Sequence, residues 1–163
     1  MKKILVLFTV MCVALVATAQ KNMDGIVFGY KYHSNELYYK IHGKEVTVTS
    51  SVRSANYTKT LEIPREVRHK GKTYRVTGIE KYGISDATNV QKIVVPGTVK
   101  RVEAHTFKDC PNLREIHCEG GVQSVSGECF LNCNKMKLLY VPSNCDVPDA
   151  HKLADKRVQL RRK

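Results

Sequence analysis

Ile93-Val94-Val95-Pro96-Gly97-Thr98-Val99-Lys100-Arg101-Val102-Glu103-Ala104-His105-Thr106-Phe107-Lys108-Asp109-Cys110-Pro111-Asn112-Leu113 is the stretch on which the fold turns. Ile93 and Val95 alternate with Lys92 and Val94, so a short strand buries one face and presents the other. Pro96 ends that strand, because it has no N–H to give to a ladder. Val99 and Val102 make a second apolar step. Ala104, Phe107, Cys110 and Leu113 then recur every three residues, which predicts 3₁₀ or helical turns. Asp109-Cys110-Pro111-Asn112 carries the turn residues that send the chain back into a new strand.

The same columns return 23 residues later. Ile93, Ile116 and Leu139 form one column, and Val95, Cys118 and Val141 another. Val99 pairs with Val122, Val102 with Val125, Phe107 with Phe130, Cys110 with Cys133, and Leu113 with Met136. The register also runs backward, with Ile79, Ile84, Ala87 and Val90 each 23 residues before Val102, Phe107, Cys110 and Leu113. One such unit cannot cover its own apolar face. Stacked units can, with strands about 4.8 Å apart, and the result is a solenoid.

The unit resembles the BspA-type leucine-rich repeat of bacterial surface proteins, which reads as a strand ending in Pro, a V-x-x-I step and then A-F-x-x-C-x-x-L. The next unit departs from that pattern, with Glu119 in place of the Pro and Glu128-Cys129-Phe130 in place of x-A-F. The preceding one has Ile84 for the Phe and Ala87 for the Cys. The terminal Trp usual in the family is absent. The resemblance implies a β-rich leucine-rich-repeat solenoid with an N-terminal β-hairpin cap and a short C-terminal helix. Glu36 to Thr49 reads as the hairpin, with Leu37, Tyr39 and Ile41 on one face and Gly43 at the turn. Residues 65–76 resemble the family's small hairpin insertion. The expected organisation is a cap over 20–60, three to four coils over 61–148, and a capping helix followed by a frayed basic tail over 149–163.

Met1-Lys2-Lys3, the apolar run Ile4 to Val16 and the small residues Ala17 and Ala19 have the order of a secretory signal peptide, residues 1–19. Its apolar run is shorter than the roughly 20 residues a spanning helix needs. No transmembrane span is expected, and the chain is expected to be exported: periplasmic, at the cell surface or secreted. The 163 residues carry 27 Lys+Arg against 15 Asp+Glu, a net charge of +12. With 42% hydrophobic and 26% charged residues, the composition is that of a globular chain and excludes collagen, wholesale disorder and a multi-span membrane protein.

Outside the signal segment the cysteines are Cys110, Cys118, Cys129, Cys133 and Cys145. Cys110 and Cys133 share a column at disulfide-compatible spacing, yet both also suit a small buried residue. Their oxidation state is open. His105, Cys110, His117 and Cys129 have no zinc-ligand spacing, and no metal or cofactor is expected. Glu103, Glu115, Glu119 and Glu128 form no recognisable catalytic constellation, and no nucleophile elbow or phosphate loop is present. No enzyme activity is expected.

The outward strand positions are the candidate site. Val94, His117 and Tyr140 form one lateral row, flanked by Glu115 and Leu138 on the same face. Arg157, Arg161, Arg162 and Lys163 form a basic patch, and Arg65, Arg68, His69, Lys70 and Lys72 a second cluster. The expected role is a non-enzymatic binding protein, a monomer that meets another protein or an envelope or matrix component through its sheet face. The alternative is a cationic protein held on envelope or glycan by its basic tail. Nucleic acid is not an expected partner.

Overall fold

The computed structural model describes residues 25–49 and 57–163. The expected signal peptide lies outside them. The described residues begin with three antiparallel strands, β1 (Val27–Tyr32), β2 (Asn35–His42) and β3 (Glu45–Thr49). Leu37, Tyr39 and Ile41 of β2 are all buried, as their alternation requires. β1 precedes the expected hairpin and pairs along its whole length with β2.

β4 (Thr60–Glu62) opens the solenoid. The hairpin insertion follows as β5 (Glu66–His69) and β6 (Lys72–Ile79). It is not a free excursion: β6 pairs in parallel with β3, so one five-stranded sheet runs β1-β2-β3-β6-β5. Asn35 joins this sheet to the first coil from a buried position. Its Nδ2 donates to the Thr60 carbonyl at 3.0 Å, and its Oδ1 accepts from Thr58 N at 2.7 Å. A buried amide that is satisfied on both sides fixes one orientation of cap on coil, because leaving either group unpaired costs about 1–3 kcal/mol.

The coils then repeat. β7 (Ile84–Ser85) completes the first; β8 (Lys92–Val95), β9 (Arg101–Val102) and β10 (Phe107–Lys108) form the second; β11 (Glu115–Cys118), β12 (Ser124–Val125) and β13 (Phe130–Leu131) form the third. β14 (Leu138–Val141), the helix α1 (His151–Asp155) and β15 (Gln159–Arg162) close the chain. All strand pairs between coils are parallel. Ile116 stands against Ile93 on one side and Leu139 on the other, and Phe107 stands between Ile84 and Phe130. The 23-residue register is therefore a physical stacking. One continuous core runs from Phe28 in β1 to Val158 beyond α1, with Ile93, Phe107, Leu113, Ile116 and Leu139 wholly buried.

Two expectations are corrected here. The period-three segment from Ala104 to Leu113 forms no helix. It makes a turn, the two-residue strand β10 and another turn, with His105 and Asp109 in the left-handed region at φ 59° and 49°. Residues three apart share a face in either arrangement, so the apolar period cannot separate them; a positive φ breaks a helical path. Nor is the segment after α1 a frayed tail. Gln159–Arg162 pairs in parallel with β14 and completes the sheet β15-β14-β11-β8-β4. Leu160 sits opposite Leu139 at an offset of 21, two residues short of the repeat.

Candidate functional site

On the five-stranded parallel sheet, side chains alternate between core and surface. Ile93, Val95, Ile116, Cys118, Leu139 and Val141 are buried, while Lys92, Val94, Glu115, His117, Leu138 and Tyr140 between them are half-buried. The pairing sets Val94 beside His117 and His117 beside Tyr140, and extends the row to Glu62 at one end and Arg161 at the other. A second row on the same face runs Thr60, Lys92, Glu115, Leu138, Gln159. The structure thus brings together all five sheet-face candidates.

The centre of the face is aromatic. The His117 and Tyr140 rings lie 4.2 Å apart between centroids, and Lys163 Nζ sits 4.6 Å from the Tyr140 centroid on the same surface. His117 Nε2 is 2.7 Å from Glu115 Oε2, a hydrogen bond that orients the imidazole. Burial pushes the His117 pKa below its ordinary value. The Glu115 bond opposes that shift, and the charges of Lys92 and Lys163 add to it. The ring is consequently neutral at pH 7, and its Nε2–H donates to the carboxylate.

Two clefts open on this face. One of about 410 Å³ is lined by Lys92, Val94, His117, Gly120, Pro142 and Lys163, among others. The other, of about 650 Å³, lies toward the hairpin insertion between Tyr32, Glu62, Arg65, Arg75 and Val94. Glu119 lines both, and its Oε2 accepts from Arg65 Nη2 at 2.8 Å. Glu119 occupies the place in its coil that Pro96 and Pro142 occupy in theirs. Its carboxylate joins the insertion to the third coil, where a proline could not.

The basic patch does not stay together. Arg161 joins the face beside Tyr140, and Lys163 lies over the Tyr140 ring. Arg162 turns to the end of the stack, where its Nη1 donates to the carbonyls of Cys145 at 2.7 Å and Ser143 at 3.2 Å. Arg157 lies in the exposed turn after α1 at φ 57°. Sequence reasoning passed over Lys92 as a site residue, as well as the Arg65–Glu119 pair. The displaced proline was the available signal for Glu119.

The cysteines lie in the core, with Cys110 beside Cys133. Cys110, Cys118, Cys129, Cys133 and Cys145 are buried and unbridged. Burial pushes the Cys118 thiol up to about 12 and holds Cys129 well above its ordinary value. His117 faces the sheet surface while Cys110 and Cys129 line the core, so the imagined zinc set does not assemble. Among the described residues no group of three or more His, Cys, Asp or Glu is placed to hold a metal ion. Glu128 pairs with Lys152 at 3.0 Å, remote from Glu115 and Glu119 on the sheet face. No described helix is long and apolar enough to cross a membrane.

Comparison with known proteins bears on the fold. Residues 72–151 match the model of the BspA type leucine rich repeat region, in six copies. A leucine-rich repeat protein from Bacteroides capillosus superposes with a TM-score of 0.68 at 16% identity, over 83% of this chain and 98% of that one. The pneumococcal vaccine antigen PcpA gives 0.58 at 12% identity, over 86% of this chain and 38% of that one. A leucine-rich repeat protein from Bacteroides ovatus gives 0.56 at 19% identity, over 82% and 38%. This chain therefore spans well under half of the latter two. No curated protein matches the sequence.

Proposed function

On the premise that residues 72–151 belong to the BspA-type leucine-rich repeat family, we propose that this chain is an exported, non-enzymatic binding protein whose solenoid sheet presents the contact surface. The observation that carries this reading is the row Val94–His117–Tyr140. Its members are half-buried and packed on one another, and they lie on the sheet face away from the core. A tilted aromatic pair held at 4.2 Å can desolvate against a partner at little entropic cost, and Tyr140 is of a type enriched among the residues that dominate binding energy at protein interfaces. The N-terminal sheet and the α1–β15 segment then act as end covers for the stack, as a short solenoid requires. Adhesion or another surface interaction is the role the family implies.

The test is capture. Immobilised protein should retain a partner from envelope or matrix extract, and V94S/H117S/Y140S should release it while keeping the wild-type circular dichroism. Full retention by that variant would reject the face.

The electrostatic reading keeps one specific support: Arg161 and Lys163 belong to the same face as the rings. Charge and apolar contact are therefore not two separate sites. Deleting the basic segment cannot tell them apart, because it removes β15 as well.

A further inference from the structure

The charges of the sheet face are not balanced. Each of its carboxylates has a basic group within 4 Å: Glu115 has His117 at 2.7 Å, Glu119 has Arg65 at 2.8 Å, and Glu62 has His33 Nδ1 at 3.9 Å. Lys92, Arg161 and Lys163 have no carboxylate at ion-pair distance among the described residues. Arg161 donates to the neutral Gln159 Oε1 at 2.9 Å, and the described partner of Lys163 Nζ is the Tyr140 ring. Lys92 and Lys163 line the 410 Å³ cleft together with His117, and Arg161 continues the His117 row beyond Tyr140, two strands away. Three cations without a carboxylate partner thus lie around a tilted imidazole–phenol pair.

From this geometry we propose that the cleft takes an extended acidic segment of a partner protein, its carboxylates on Lys92, Lys163 and Arg161 and an aliphatic or aromatic side chain against His117, Tyr140 and Val94. The inference rests on the sheet-face reading above and names the partner's chemistry. Charge complementarity selects an acidic occupant, because a basic one would face Lys92 and Lys163 in a partly desolvated cleft and Arg161 beside it. The half-buried Val94 and Leu138 on the same face select a protein segment over a purely polar polyanion. The floor selects it over a lipid surface: the His117 side chain is only 19% exposed, and a flat membrane does not reach a recessed ring.

The probe is a fluorescein-labelled octapeptide of six glutamates, one leucine and one phenylalanine, followed by anisotropy in about 0.1 M salt, where exposed charges still act over about 10 Å. K92Q/R161Q/K163Q should weaken its binding about tenfold or more, a loss of about 1.4 kcal/mol. R68Q/K70Q/K72Q removes the same charge from the hairpin insertion, outside the cleft linings. It should change binding less than about twofold. Y140S should also weaken binding, and thermal melts confirm that each variant folds. Equal loss in both triple variants would mean attraction by net charge and would overturn the proposal. So would no binding of the octapeptide, or binding that the cleft triple leaves intact. Phosphatidylglycerol vesicles retained where the octapeptide is not would assign the cations to a lipid surface instead. In each of these failures, capture by wild type against V94S/H117S/Y140S still decides the sheet-face reading by itself.

Discussion

Leu160 of β15 stands opposite Leu139 of β14 in parallel register. The row Leu61, Ile93, Ile116, Leu139 is closed by this residue, from the segment whose charges disguised it. Val158 before it is buried, and Arg162 after it caps two carbonyls of the last turn. Deleting residues 157–163 should therefore destabilise the whole fold by at least about 2 kcal/mol, the scale of exposing one buried aliphatic side chain and several ladder groups. A thermal melt of the truncated chain checks this. An unchanged midpoint would return the segment to the status of a passive tail.

Gly97 and Gly121 meet across adjacent coils. A Cβ on Gly97 would lie against the Gly120 carbonyl oxygen, and one on Gly121 against the carbonyl oxygen of Gly97. Both obstacles are backbone, which cannot rotate away. Gly97→Ala should cost about 2 kcal/mol or more, because the coils must part to admit the methyl group. Gly120→Ala, with nothing within 4 Å of its Cβ, should be within about 1 kcal/mol of wild type. Chemical denaturation of the two variants measures the contrast; similar costs would place the close approach elsewhere.

His117 should titrate below the ordinary histidine value of 6.5, since burial disfavours its charged form more than Glu115 favours it. Glu115→Gln should lower the midpoint further, and Lys92→Gln with Lys163→Gln should raise it. The sign for stability follows. Between the folded and unfolded midpoints the unfolded chain binds more protons, so this residue's contribution is complete above about pH 6.5 and is lost as pH falls toward the folded midpoint. Proton NMR of the ring checks the order of the three midpoints. A midpoint above 6.5 in the wild type would mean that the carboxylate outweighs burial.

Cys110, Cys118, Cys129, Cys133 and Cys145 should be inert in the folded protein. All five are buried, and burial raises the Cys118 and Cys129 thiols above their ordinary value, so little thiolate reaches a reagent at pH 8. A chain begun at Gln20 and kept free of reductant should show almost no reaction with Ellman's reagent when native, and five thiols once unfolded in guanidinium. Three thiols after unfolding would indicate one disulfide, with the Cys110–Cys133 column the first suspect.

The repeat was legible because its columns are apolar, alternate within each strand and recur at constant spacing, so Ile93, Ile116 and Leu139 could be aligned without knowledge of the intervening path. The same alternation exposed the row Val94, His117, Tyr140. What escaped broke one of these regularities. β1, Val27–Tyr32, contains Gly29 and lacks a continuous buried stripe. β15 is displaced by two residues from the period and reads as charge. The turns around β10 share their three-residue spacing with a helix and differ only in the sign of φ at His105 and Asp109. The Arg65–Glu119 pair joins residues 54 apart, and no periodicity reports such a contact. Lys92 was visible as an outward residue, but its lack of a counter-charge is a property of the assembled face.

The most direct measurement of the sheet-face account is site-specific photo-crosslinking in the source cells. A benzophenone side chain at position 140 should give a discrete crosslinked product with a second protein, and the same group at Lys81, an exposed position outside the sheet, should give none. The product should diminish in the K92Q/R161Q/K163Q background. A crosslink from position 81 with none from 140 would place the partner on another surface and contradict the account.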